Sequence, residues 1–135
     1  MADVKDYIEN IYLTQEINCA EAVFRAALMS RNLELEAPYY YMMSGFSGGA
    51  STENLCGAIL GGIAAIGLLL NKGNEIGFDS SKQASKEFVI AAKECLGSEI
   101  CHEIKTTWRD EITRCFSAVM EITVKLEQVL QKYGV

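Results

Sequence analysis

A run of sixteen uncharged residues, Leu55 to Leu70, limits what this chain can fold into. It holds Gly57, Gly61, Gly62 and Gly67 among Ala, Ile and Leu, with Glu53 before it and Lys72 after it. As a helix it reaches about 24 Å, short of the roughly 30 Å hydrocarbon core of a bilayer. A helix apolar on every side is instead covered by other helices. With 135 residues and a single Pro, the chain suits one core and few helix breaks. No strand-like alternation and no internal repeat interrupts the pattern. The expectation is an all-α single domain over residues 1–135, a bundle of about five helices around a Gly-rich apolar central helix.

Start and stop signals place the other elements. Asp3 is positioned to cap a first helix carrying Val4, Ile8 and Ile11. Asn18-Cys19-Ala20-Glu21 has the form of a capping box and opens a helix running to about Ser30. Pro38 suits the first turn of a short helix with Tyr39, Tyr40, Tyr41, Met42 and Met43, read as core or as an oligomer contact. Gly45-Phe46-Ser47-Gly48-Gly49 forms a loop leading to Ser51, Thr52 or Asn54 as cap of the central helix, which ends at Gly73. Ser80 with Gln83 starts the next helix, its inward stripe Ala84, Phe88, Ala91 and Cys95, its end Gly97. Trp108, Ile112, Cys115, Val119, Ile122, Leu126, Val129 and Tyr133 step by four and three and predict one long last helix. Cys101 and His102 then fall in a loop.

Eighteen Asp+Glu against twelve Lys+Arg, a net charge of −6, argue against nucleic acid as the main partner. The segment Met1 to Asp6 is charged and has no apolar signal-peptide core, so the expectation is a cytoplasmic protein in a reducing compartment. There, five cysteines draw attention as metal ligands or reactive thiols, although a cysteine is also a small buried hydrophobe. Cys19 and Cys56 fall in the first turns of their helices. Free N–H groups and the positive dipole end favour a thiolate at such positions, which makes both candidate catalytic cysteines. Cys95 and Cys115 lie on inward stripes and can face the same interior region. Gly48, Gly49, Gly57 and Gly61 are candidate cofactor contacts, and tight helix packing accounts for the helical pair equally well. Glu21 and Glu53 share the first turns of the two N-terminal cysteines, where a dipole-complementing role explains them. The aromatic cluster and the last helix suggest a homodimer, the alternative being that the last helix packs within the monomer.

Asn18-Cys19-Ala20 opening a helix, Gly-Phe-x-Gly-Gly at 45–49 and Cys56-Gly57-Ala58-Ile59-Leu60-Gly61 together resemble a family of redox-active proteins named for a C-GCAxxG-C-C pattern of four cysteines. The resemblance covers roughly residues 15 to 125. By position it implies Cys19, Cys56, Cys95 and Cys115 as the four, with Cys101 an addition. The segment Ala50 to Asn54 has fewer glycines than the family pattern. A related domain in the split-Soret type of cytochrome c is associated with an iron–sulfur centre. Haem is not expected, since there is no Cys-x-x-Cys-His and only one His, and no Cys-x-x-Cys suggests a thioredoxin mechanism. Three readings follow. One is electron transfer with a partner protein through an iron–sulfur or other metal site on those four cysteines. Another is metal-free thiol–disulfide exchange by a Cys19/Cys56 pair. The last is a helical interaction module with buried thiols.

Overall fold

The computed structural model describes residues 2–15 and 17–135. The fold is all-α: among the described residues there are seven α-helices and no strand. They are α1 (Lys5–Thr14), α2 (Cys19–Ser30), α3 (Ala37–Tyr41), α4 (Gly57–Leu70), α5 (Glu75–Leu96), α6 (Cys101–Trp108) and α7 (Phe116–Lys132). No helix among the described residues is long and apolar enough to cross a membrane.

Helix α4 lies against α2, α5 and α7, with α2 its most extensive neighbour. Two glycines set these approaches. A Cβ on Gly61 would stand 2.1 Å from the Ala20 carbonyl oxygen, so the α2 backbone occupies that space. A Cβ on Gly62 would stand 2.5 Å from the Phe88 ring of α5, itself fully buried. Helices α1 and α7 close the other side, where Val4, Ile8 and Ile11 meet Ile122, Leu126 and Leu130 in one continuous core. Gly61 is thus taken up by the packing of α2 on α4.

Several boundaries differ from the sequence expectation, each for a local reason. Helix α5 begins at Glu75, because the Asn74 side chain accepts a hydrogen bond from the Gly77 N–H at 2.7 Å and caps it; Ser80 lies inside the helix. Its buried stripe is Ala84, Phe88, Ala92 and Leu96, in steps of four, so Ala91 and Cys95 turn one position off the core. The long last helix is broken. Asp110 accepts from the N–H groups of Ile112 and Thr113 at 2.8 and 2.6 Å and bonds the Thr113 hydroxyl, a local turn that competes with helical pairing. Trp108 thus belongs to α6, Ile112 is 92% exposed, and the stripe on α7 starts only with Val119. Of the tyrosine cluster, Tyr40 and Met43 are buried, while Tyr39, Tyr41 and Met42 face outward. None of Ser51, Thr52 and Asn54 caps α4: the residue before that helix is Cys56.

Candidate functional site

The first turns of four helices meet around a single cavity of about 320 Å³, and each brings a cysteine. Cys19 is the first residue of α2 and Cys101 the first of α6; Cys56 immediately precedes α4 and Cys115 immediately precedes α7. Asn18 fixes the start of α2 by accepting from the Glu21 N–H at 2.9 Å. Cys56 and Cys101 are set side by side by a short antiparallel pairing of Leu55 with Ile100, in which the Cys56 N–H donates to the Glu99 carbonyl at 2.8 Å and the Cys101 N–H to the Asn54 carbonyl at 2.6 Å. Cys115 is held from α1: its N–H donates to the Tyr12 hydroxyl at 3.3 Å, and the neighbouring Arg114 guanidinium donates to the Tyr12 carbonyl and lies 4.1 Å over the Tyr12 ring.

Glycine makes room for the thiols. A Cβ on Gly57 would come within 2.8 Å of the Cys19 Sγ and 2.7 Å of the Phe46 carbonyl, so the Cys19 sulfur rests against the first turn of α4. A Cβ on Gly49 would come within 2.6 Å of the Cys101 Cβ. Gly48 lines the cavity in the left-handed region at φ 63°, its N–H directed at the Cys19 sulfur. Gly48, Gly49, Ala50 and Ser51 have consecutive φ values of 63°, 64°, 58° and 62°, a left-handed turn that reverses the chain over the site. Glu53 (φ 58°) ties that turn to α6 through Lys105 Nζ at 2.7 Å.

Burial outweighs the helix termini in the electrostatics of the thiols. Burial, reinforced by the nearby Cys115 and Cys101, pushes the Cys19 thiol up to about 11, although the Gly48 and Ala20 N–H groups pull the other way. Burial likewise pushes Cys56 up to about 12, with Cys19 adding to the effect against the N–H groups of Ile59 and Ala58. Cys101 is raised by burial as well. The lowered values expected of Cys19 and Cys56 from their helix positions are therefore corrected. At pH 7 a thiol with a pKa near 11 is ionised in only about one molecule in ten thousand.

Cys95 is not in this cavity. It lies on the flank of α5, where its Sγ is 3.5 Å from a Glu121 carboxylate oxygen. Cys101, expected in a loop, takes the fourth place instead, with His102 beside it facing solvent. The signal for α6 was present in Ile100, Ile104 and Trp108 at spacings of four, preceded by Ser98, whose hydroxyl accepts from the Ile100 N–H at 3.0 Å. Lys105, Arg109 and Arg114 also line the cavity, and none of these was legible as a site residue. Among the described residues no three His, Cys, Asp or Glu side chains come together closely enough to hold a metal ion. The four thiols surround a space and do not converge on a point.

One protein-family model, described as "Putative redox-active protein (C_GCAxxG_C_C)", matches the chain over residues 17–129. No curated protein and no solved structure matches it.

Proposed function

The chain belongs to the C_GCAxxG_C_C redox-active protein family, and from that premise we propose that the four-helix cavity is its redox centre, built on Cys19, Cys56, Cys101 and Cys115. The observation that carries the proposal is the arrival of four cysteines, each at the start of a different helix, at one buried cavity. Chance burial of small hydrophobes gives no reason for that placement.

The donor set suits an iron–sulfur cluster held by cysteine. Such a cluster is bound by thiolates and carries net negative charge; here the ligands are soft, helix starts surround the cavity, and among the described residues no carboxylate lines it. A lone tetrahedral ion is less well served, since it needs its sulfurs gathered within bonding distance of one point. Cys19, Cys56, Cys101 and Cys115 are the residues that would hold the cluster, which supplies one-electron transfer when bound. The protein contributes a largely apolar cavity, N–H groups of Gly48 and Ala20 directed at the Cys19 sulfur, and Tyr12 fixing the approach of α7. Metal-free exchange by a Cys19/Cys56 pair is disfavoured, because buried neutral thiols are poor nucleophiles.

Anaerobic purification, with iron and sulfide assays and a visible spectrum, tests the reading. Expected are bound iron and sulfide with broad absorption near about 400 nm. Cys101→Ser should abolish this signature and Cys95→Ser should retain it. A colourless protein that stays free of iron after anaerobic reconstitution overturns the cluster, and retention of the cluster in Cys101→Ser overturns the ligand assignment.

A further inference from the structure

The cavity wall has a charge pattern that ligation by cysteine does not use. Among the described residues lining it, Lys105, Arg109 and Arg114 are cations and none is an acid, in a chain where acids outnumber bases eighteen to twelve. Lys105 is balanced by Glu53 at 2.7 Å. Among the described residues, Arg114 makes its polar contacts to the Tyr12 carbonyl and ring, both uncharged. No ion pair among the described residues engages Arg109 or Arg114.

A concave, largely apolar site with two guanidinium groups that no described carboxylate pairs attracts anions, and the planar Arg fork matches an oxyanion edge. We propose that the cavity admits a small free oxyanion of sulfate size beside the cysteines, contacted by Arg109 at the exposed rim and by Arg114 within, so that the substrate of the redox centre is an anionic small molecule. This rests on the reading of the cavity as the redox centre. The cavity, about 320 Å³ and walled by Ile104, Ala118, Val119 and Ile122, has room for a compact anion beside the cysteines.

The test uses the full-length, reduced, metal-free chain, titrated with sulfate at ionic strength held constant with chloride and followed by amide NMR. Saturable shifts are expected at Cys19, Gly48 and Cys115, together with slower maleimide labelling of Cys101. Arg109→Gln should weaken sulfate about tenfold, the loss of one charge-assisted contact. Lys86→Gln, on the exposed face of α5, should leave it unchanged. Shifts that fail to saturate, or sulfate affinity equal in Arg109→Gln and wild type, would overturn the proposal. Tighter binding of AMP than of sulfate would do so too. Cluster assembly is scored separately. A cluster without sulfate binding ends this inference alone. Arg109-dependent sulfate binding in a chain that forms neither cluster nor reversible disulfide ends the redox reading instead.

Discussion

Ala50 and Ser51 hold φ values of 58° and 62° between the cavity and solvent, a conformation that costs an L-residue about 1–2 kcal/mol. Ser51 Oγ donates to the Gly45 carbonyl at 3.0 Å, whereas the Ala50 side chain is exposed. Ala50→Gly should raise stability by about 0.5–1 kcal/mol, the relief of strain less the added freedom of the unfolded chain. A lower melting temperature for this variant would show that the turn is not held as described. The buried thiols give a second prediction at this scale. In the unfolded chain a cysteine has a pKa near 8.5, against about 11 and 12 for Cys19 and Cys56 when folded. Folding therefore favours the protonated thiols. Their contribution is complete below about pH 8.5 and disappears as pH rises through 11 to 12. Denaturation of the reduced, metal-free protein at pH 7 and pH 10.5 should show a loss of stability that is smaller in a Cys19→Ser/Cys56→Ser double variant. An equal loss in both would assign the effect to other groups.

Helix α4 places glycines of opposite use on one element. Gly61 is filled against by the Ala20 carbonyl, whereas nothing lies within 4 Å of a Cβ placed on Gly67. Gly61→Ala should cost about 1–3 kcal/mol by forcing α2 away from α4. Gly67→Ala should stabilise by about 0.5–1 kcal/mol through helix propensity alone. Urea titrations of the two variants read this directly, and shifts of the same sign would contradict the packing of α2 on α4. Because Cys19 rides on the first turn of α2, Gly61→Ala should also speed alkylation of Cys19 at pH 7. At the same scale, the break between α6 and α7 turns one periodic stripe into two helix starts. Cys101 and Cys115 each gain a position at the head of a helix, which a single long helix would have denied to Cys115.

Across the whole molecule, the two chain ends are joined through a buried ion pair far from the cavity. Arg31 Nη1 and Nη2 reach the Glu127 carboxylate at 2.6 and 2.9 Å, Glu127 accepts from the Val4 N–H at 3.0 Å, and Arg31 Nη2 donates to the Val135 carbonyl at 3.0 Å. Burial pushes the Glu127 carboxyl up, but the bonds from Arg31, Val4 and Gln131 outweigh it and hold the carboxyl below its usual range. Its contribution is thus present above the ordinary carboxylate pKa and is lost as pH falls through the lowered one. Arg31→Ala leaves that carboxylate buried and uncompensated and should cost about 3–5 kcal/mol at pH 7. Calorimetry should show the deficit shrinking on acidification, as Glu127 protonates; a deficit independent of pH would remove charge from the explanation.

Local chemistry written along the chain determined much of this protein. The all-α class, an apolar helix within Leu55 to Leu70, the capped start at Asn18-Cys19 and the placement of Cys19 and Cys56 at helix starts all follow from periodicity, capping and glycine, which act within a few residues. The membership of the cavity did not. Cys95 and Cys101 differ by six positions, and which of them faces inward depends on the phase of α5 against α7 and on the pairing of Leu55 with Ile100, contacts between segments tens of residues apart. The pKa direction of Cys19 and Cys56 was likewise decided by tertiary burial, a property of everything packed around a thiol and of nothing in its own turn of helix.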